Sequence, residues 1–93
     1  MSYVLDIPEK LDKAFGKLAK RDPGQMEILH SKVKQILEEP YRFKPLRGDM
    51  KGARRVHIGK SFVLVYEIDE QNHAVRLLEY EHHDKVYEQK TKN

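Results

Sequence analysis

The sequence predicts an α+β domain: an N-terminal strand and a two-helix hairpin packed on one face of a small, mostly antiparallel, twisted sheet. Three observations carry this. Apolar residues recur at helical spacing between Pro8 and Pro40. From Val56 onward the spacing changes to alternation and then to a nearly continuous apolar run, as strands require. The chain has 93 residues and no linker or repeat, so residues 1–93 read as one domain.

The elements follow in order. Residues 2–7 read as a short strand. Pro8 suits the first turn of a helix, where a missing N–H costs nothing. Leu11, Ala14, Phe15 and Leu18 then form one apolar stripe, with Lys10, Lys13, Lys17 and Lys20 on other faces. Asp22-Pro23 is a second start signal, with Asp as N-cap and Pro at the first helical position. Met26, Leu29, Val33, Ile36 and Leu37 make the next stripe, and Pro40 ends it.

Val56 and Ile58 alternate with Arg55 and His57, as in a half-buried strand. Gly59-Lys60 reads as a tight hairpin turn. The run from Phe62 to Ile68 is β-branched and apolar enough for a central strand covered on both faces. Gln71-Asn72 makes a turn, and Val75, Leu77, Leu78 and Tyr80 mark a further strand. Residues 82–89 read as a short polar helix or an extended tail, and Lys90–Asn93 as a frayed end.

Composition narrows the function. Charged residues make up 35% of the chain, above the roughly 25% of an average domain. The net charge is only +3, but residues 41–60 hold seven Lys/Arg against one acid, Asp49. The rest of the chain is net negative. Such polarisation suits a polyanionic partner. The helices should cover one sheet face, leaving Arg55 and His57 on the other. Arg54 has the parity of the core, so its direction stays open.

With no cysteine, disulfides, thiolate metal sites and cysteine nucleophiles are excluded. No apolar run is long enough for a membrane helix, and the N-terminus lacks a secretion signal, which together point to the cytoplasm. Gly48, Gly52 and Gly59 match no nucleotide-binding loop, so no organic cofactor is expected. His57, His82, His83 and Asp84 are residue types that can gather around zinc. Their spacing matches no short motif, and adjacent histidines in an extended segment point apart, so no metal is expected.

Several segments together resemble the RelE/ParE superfamily of toxins from type II toxin–antitoxin pairs. They are Tyr3-Val4-Leu5-Asp6, the hairpin ending Leu37-Glu38-Glu39-Pro40, and Pro45-Leu46-Arg47-Gly48. The run from Phe62 to Ile68 and the close Glu81-His82-His83-Asp84-Lys85-Val86-Tyr87 complete the set. Within the superfamily, Arg54-Arg55-Val56-His57-Ile58-Gly59, with His83 four residues before Tyr87, resembles the YafQ branch. RelE and YafQ relatives are ribosome-dependent endoribonucleases that cut mRNA, whereas the ParE branch shares the fold and poisons DNA gyrase.

The resemblance implies a site. Metal-free RNA cleavage needs a base for the 2′-OH, an acid for the leaving 5′ oxygen, and cations for the phosphate. His57 and His83 are the proton-transfer candidates. Tyr87 stands where a late aromatic closes these sites. Arg54 and Arg55 are the candidate phosphate clamps, while Lys44, Arg47, Lys51, Lys60 and His82 supply an RNA-binding field. The implied partners are an antitoxin protein, the ribosome and mRNA.

The chain also departs from the pattern. Lys44 replaces a histidine and Ser61 an acid of the YafQ branch, and Val63 and Glu81 stand at or near arginines of the RelE branch. A gyrase-type or other protein-binding toxin, or an inactive RNA-binding relic, therefore stays open.

Overall fold

The computed structural model describes residues 3–46 and 52–84. Arg47, Lys51, Tyr87 and the tail at 90–93 lie outside the described residues. The elements run β1 (Val4–Asp6), α1 (Glu9–Arg21), α2 (Pro23–Glu38), a 3₁₀ turn (Pro40–Arg42), β2 (Lys44–Pro45), β3 (Ala53–Ile58), β4 (Phe62–Asp69) and β5 (Ala74–His82). They form a five-stranded sheet in the order β1-β5-β4-β3-β2. β1 runs parallel to β5, and every other pairing is antiparallel. The expected α+β architecture is the one observed. Among the described residues, no helix is long and apolar enough to cross a membrane.

The helix starts obey the expected chemistry. The Asp22 carboxylate accepts the Gln25 backbone N–H at 3.1 Å, capping α2 with Pro23 in its first turn. Pro8 sits at the N-cap of α1, one residue ahead of the first helical turn. The α1 stripe is narrower than expected: Leu11, Phe15 and Leu18 are buried, whereas Ala14 is exposed. The two-residue strand β2 was not anticipated. Among the described residues it pairs Lys44 with Arg55 and Pro45 with Arg54.

The helices cover one sheet face. Leu11, Phe15 and Leu18 from α1 and Leu29 and Ile36 from α2 pack on Val56, Ile58, Leu64, Tyr66, Val75 and Leu77. Tyr66 is fully buried, and its hydroxyl donates to the Pro40 carbonyl at 2.6 Å, fixing the end of the helical hairpin to the middle of the sheet. A second, smaller cluster of Leu46, Ala53, Val63 and Val65 lies on the opposite face, with Leu78 against it. The central run of β4 is therefore buried on both faces, as its composition implied.

The sequence of β5 holds apolar residues at 75, 77, 78 and 80, which no strict alternation explains. A bulge does. Val65 lies opposite Glu79 but Tyr66 lies opposite Leu77, leaving Leu78 as the extra residue. The bulge resets the parity, so that Val75, Leu77 and Tyr80 all face the helices.

β3 and β4 are joined by Gly59, Lys60 and Ser61. Gly59 has φ +67°, and a Cβ built there would lie 2.9 Å from Gln25 Oε1. That Gln25 side chain donates to the Ile58 carbonyl and the Tyr80 hydroxyl. Gly59→Ala is therefore expected to lower stability by about 1–2 kcal/mol from backbone strain, and somewhat more from displacing Gln25. Chemical denaturation of the two proteins checks this.

Candidate active site

β3 alternation sends Arg55 and His57 to the face that carries no helix. His57 is exposed and Arg55 half-buried. β4 runs beside β3, with Val63 opposite His57 and Val65 opposite Arg55. β5 continues the rows, with Glu81 opposite Val63 and Glu79 opposite Val65. Two rows thus cross this face, each running from a cationic or imidazole side chain over a buried valine to a glutamate.

The β4–β5 ladder extends one step beyond the strand pairing of Phe62 with His82. The His83 backbone N–H donates to the Ser61 carbonyl at 2.8 Å. This places the His83 ring beside His57, with centroids 6.1 Å apart and planes tilted by 46°. Two histidines 26 positions apart in sequence therefore share one place on the surface. His82 lies next to them, with its ring 6.2 Å from that of His83 and edge-on to Phe62.

The pKa of His57 is lowered from 6.5, first by burial, then by the Arg55 guanidinium and by His83. At neutral pH its imidazole is held in the form that accepts a proton. Below about pH 6.5 the unfolded chain binds a proton that the fold resists, so His57 costs stability as pH falls; above that it contributes nothing. In thermal melts, His57→Gln is expected to gain on the wild type between about pH 8 and about pH 5.

Beyond His57, a cleft of about 320 Å³ opens where β2 stops covering the edge of β3. Lys32, Arg42, Phe43, Lys44, Arg55, Val56 and His57 line it. Lys32 and Arg42 were missed by sequence reasoning. Lys32 flanks the apolar stripe of α2, half-buried three residues after Leu29 and four before Ile36, where a lysine reads as solvated, and only the sheet edge brings it beside Lys44 and Arg55. Both cations lie about the Phe43 ring, at 6.0 and 5.8 Å from its centroid.

Other expected site residues are not brought here. Arg54 points to the helix-covered side, so its core parity holds. Its guanidinium donates to the Phe43 carbonyl at 2.7 Å and the Tyr41 carbonyl at 3.3 Å, and lies over the Tyr41 ring. It ties the 3₁₀ turn to β3, so of the two arginines expected as phosphate clamps, Arg55 lines the cleft and Arg54 does not. Lys60 lines a separate hollow with Arg21, Gln25 and Tyr80, away from the cleft.

Comparison with known proteins agrees with this architecture. The family model described as the ParE toxin of the type II toxin–antitoxin system parDE matches residues 8–87. A protein of Methanosarcina mazei with no assigned role is 49% identical over 91% of this chain and 99% of its own length. A candidate toxin, RelE4, from Methanocaldococcus jannaschii is 40% identical over 95% of this chain and 94% of its own. Among solved structures, the intact Escherichia coli RelBE toxin–antitoxin complex contains a chain that matches with a TM-score of 0.71 and 28% identity. That match covers 85% of this chain and 94% of the other. The chain belongs to the ParE toxin family of type II toxin–antitoxin systems, within the RelE/ParE superfamily.

Proposed function

We propose that this toxin is a ribosome-dependent endoribonuclease that cuts mRNA by attack of the 2′-OH on the adjacent phosphate. The observation that carries the reading is the approach of His57 and His83 to 6.1 Å beside a cationic cleft. His57, held neutral, takes the 2′-OH proton. His83 gives a proton to the leaving 5′ oxygen, completing a 2′,3′-cyclic phosphate and a free 5′-OH. Arg55, with its planar fork, neutralises the charge that builds on the phosphate. Lys32, Arg42 and Lys44 hold the neighbouring phosphates of the strand. The RelBE assembly supports an antitoxin as the resting partner, and a ribosomal target implies action in the cytoplasm.

One feature favours a second reading. Glu81 faces His57 across Val63, near where RelE relatives carry an arginine, and a carboxylate there repels RNA phosphates. A gyrase-type or other protein-binding toxin of the same fold has no such conflict. Induced expression of the wild type and of a His57→Ala/His83→Ala double variant, with cellular mRNA ends mapped, separates them. Growth arrest with new mRNA ends, lost in the variant, supports the ribonuclease. Arrest that persists in the variant without new ends supports a protein target.

A further inference from the structure

The close of β5 carries a second arrangement. His82 is the last residue of the strand, and His83 and Asp84 turn into helical backbone. An extended segment would splay neighbouring side chains apart, but the bend makes them converge. One donor atom each from His82, His83 and Asp84 lies within 4.8 Å of the others. Asp84 stands between the rings, with Oδ1 3.1 Å from His83 Nδ1 and Oδ2 3.8 Å from His82 Nδ1.

The two Asp84 distances, each to a different carboxylate oxygen, bracket what a metal ion requires, and the three donors, within 4.8 Å of one another, draw in around it. Bonds of about 2.1 Å in a tetrahedron set donor atoms about 3.4 Å apart. Three side chains and a water complete four-coordination. At His82 Nδ1, a long 3.3 Å bond from the Asp84 backbone N–H must yield. Two imidazoles with one carboxylate select borderline ions such as Zn²⁺, Ni²⁺ or Cu²⁺ over Mg²⁺ and Ca²⁺, which prefer all-oxygen shells.

The geometry points to a divalent transition-metal site at His82, His83 and Asp84 whose occupancy switches the toxin off. A metal bound to His83 takes the ring nitrogen lone pair, holds the ring away from proton transfer, and places positive charge beside His57. The inhibitory half rests on the ribonuclease reading above; the binding half does not.

Titration of the full-length protein with Zn²⁺ by calorimetry tests the site. One ion per chain is expected, with no response to Mg²⁺. His82→Ala and Asp84→Asn should each weaken binding by at least the roughly 10- to 100-fold that loss of a supporting group costs. Absence of Zn²⁺ binding, or binding unchanged in both variants, overturns the site. Cleavage of ribosome-bound mRNA with and without Zn²⁺ tests the switch. Inhibition in the wild type that is absent in Asp84→Asn supports it. Cleavage indifferent to bound Zn²⁺ overturns the switch and leaves the site. A metal-free protein that never cleaves overturns the ribonuclease reading and the switch together, while calorimetry still decides the site.

Discussion

His57→Ala is expected to slow cleavage of ribosome-bound mRNA by about 100- to 10,000-fold, the usual contribution of one positioned acid or base. His83→Ala should fall in the same range. The double variant should lose little more than the worse single one, because a base without its acid stalls the same step. His57 is exposed and His83 only half-buried at the end of the sheet, so the variants should melt near the wild type, which separates lost chemistry from lost fold. Rates of single-turnover cleavage on programmed ribosomes give the measurement. A His57→Ala protein that cleaves within a few-fold of the wild type removes the imidazole from the mechanism. Arg54→Ala makes a contrasting control. Its guanidinium holds the Tyr41 and Phe43 carbonyls rather than facing the cleft, so melting temperature should drop more than the cleavage rate of the folded fraction.

Tyr66→Ala should destabilise the fold by about 3–5 kcal/mol. The ring is fully buried in the centre of the sheet beneath the helices, and truncation leaves a large hole and an unpartnered Pro40 carbonyl. A domain of this size has only about 5–15 kcal/mol in total, so the variant should be largely unfolded at modest denaturant concentrations. Tyr66→Phe isolates the hydroxyl and should cost about 1–3 kcal/mol. The phenol also sets an alkaline limit. Burial pushes its pKa up to about 12, against an ordinary 10. The fold keeps it neutral while the unfolded chain ionises, so stability conferred below about pH 10 is lost as pH rises toward 12. Tyr66→Phe should flatten that alkaline loss in urea titrations, and an unchanged slope would show that the phenol is not its source.

Much of the fold was legible because local signals agreed with one another. Asp22-Pro23 marked a helix start whatever surrounded it, and the run through Val63, Leu64, Val65 and Tyr66 had nowhere to lie except between two covered faces. β2 was invisible because two residues carry no period. The Leu77-Leu78 pair blurred the phase of β5, since a bulge is a property of the partner strand as much as of its own residues. The site was legible in part. Alternation along β3 was enough to place Arg55 and His57, whereas the direction of Arg54 depended on the carbonyls of a turn eleven and thirteen residues earlier. The meeting of His57 with His83 required the β4–β5 register, and Lys32 entered only through the edge that the short β2 leaves bare. Such long-range facts have no local trace.

The strand order has a bearing on how the toxin is made. β1, translated first, has β5 as its sheet neighbour, and β5 is translated last among the strands. The first strand therefore waits through the synthesis of both helices and three strands before its partner exists. Pairings this distant in sequence close late and slowly. His83 lies beyond β5, so the two imidazoles cannot meet until that same final segment has left the ribosome. On the ribonuclease reading, the nascent chain is harmless to the ribosome until β5 and His83 have emerged, so the poison is assembled late, when an antitoxin already present can meet it.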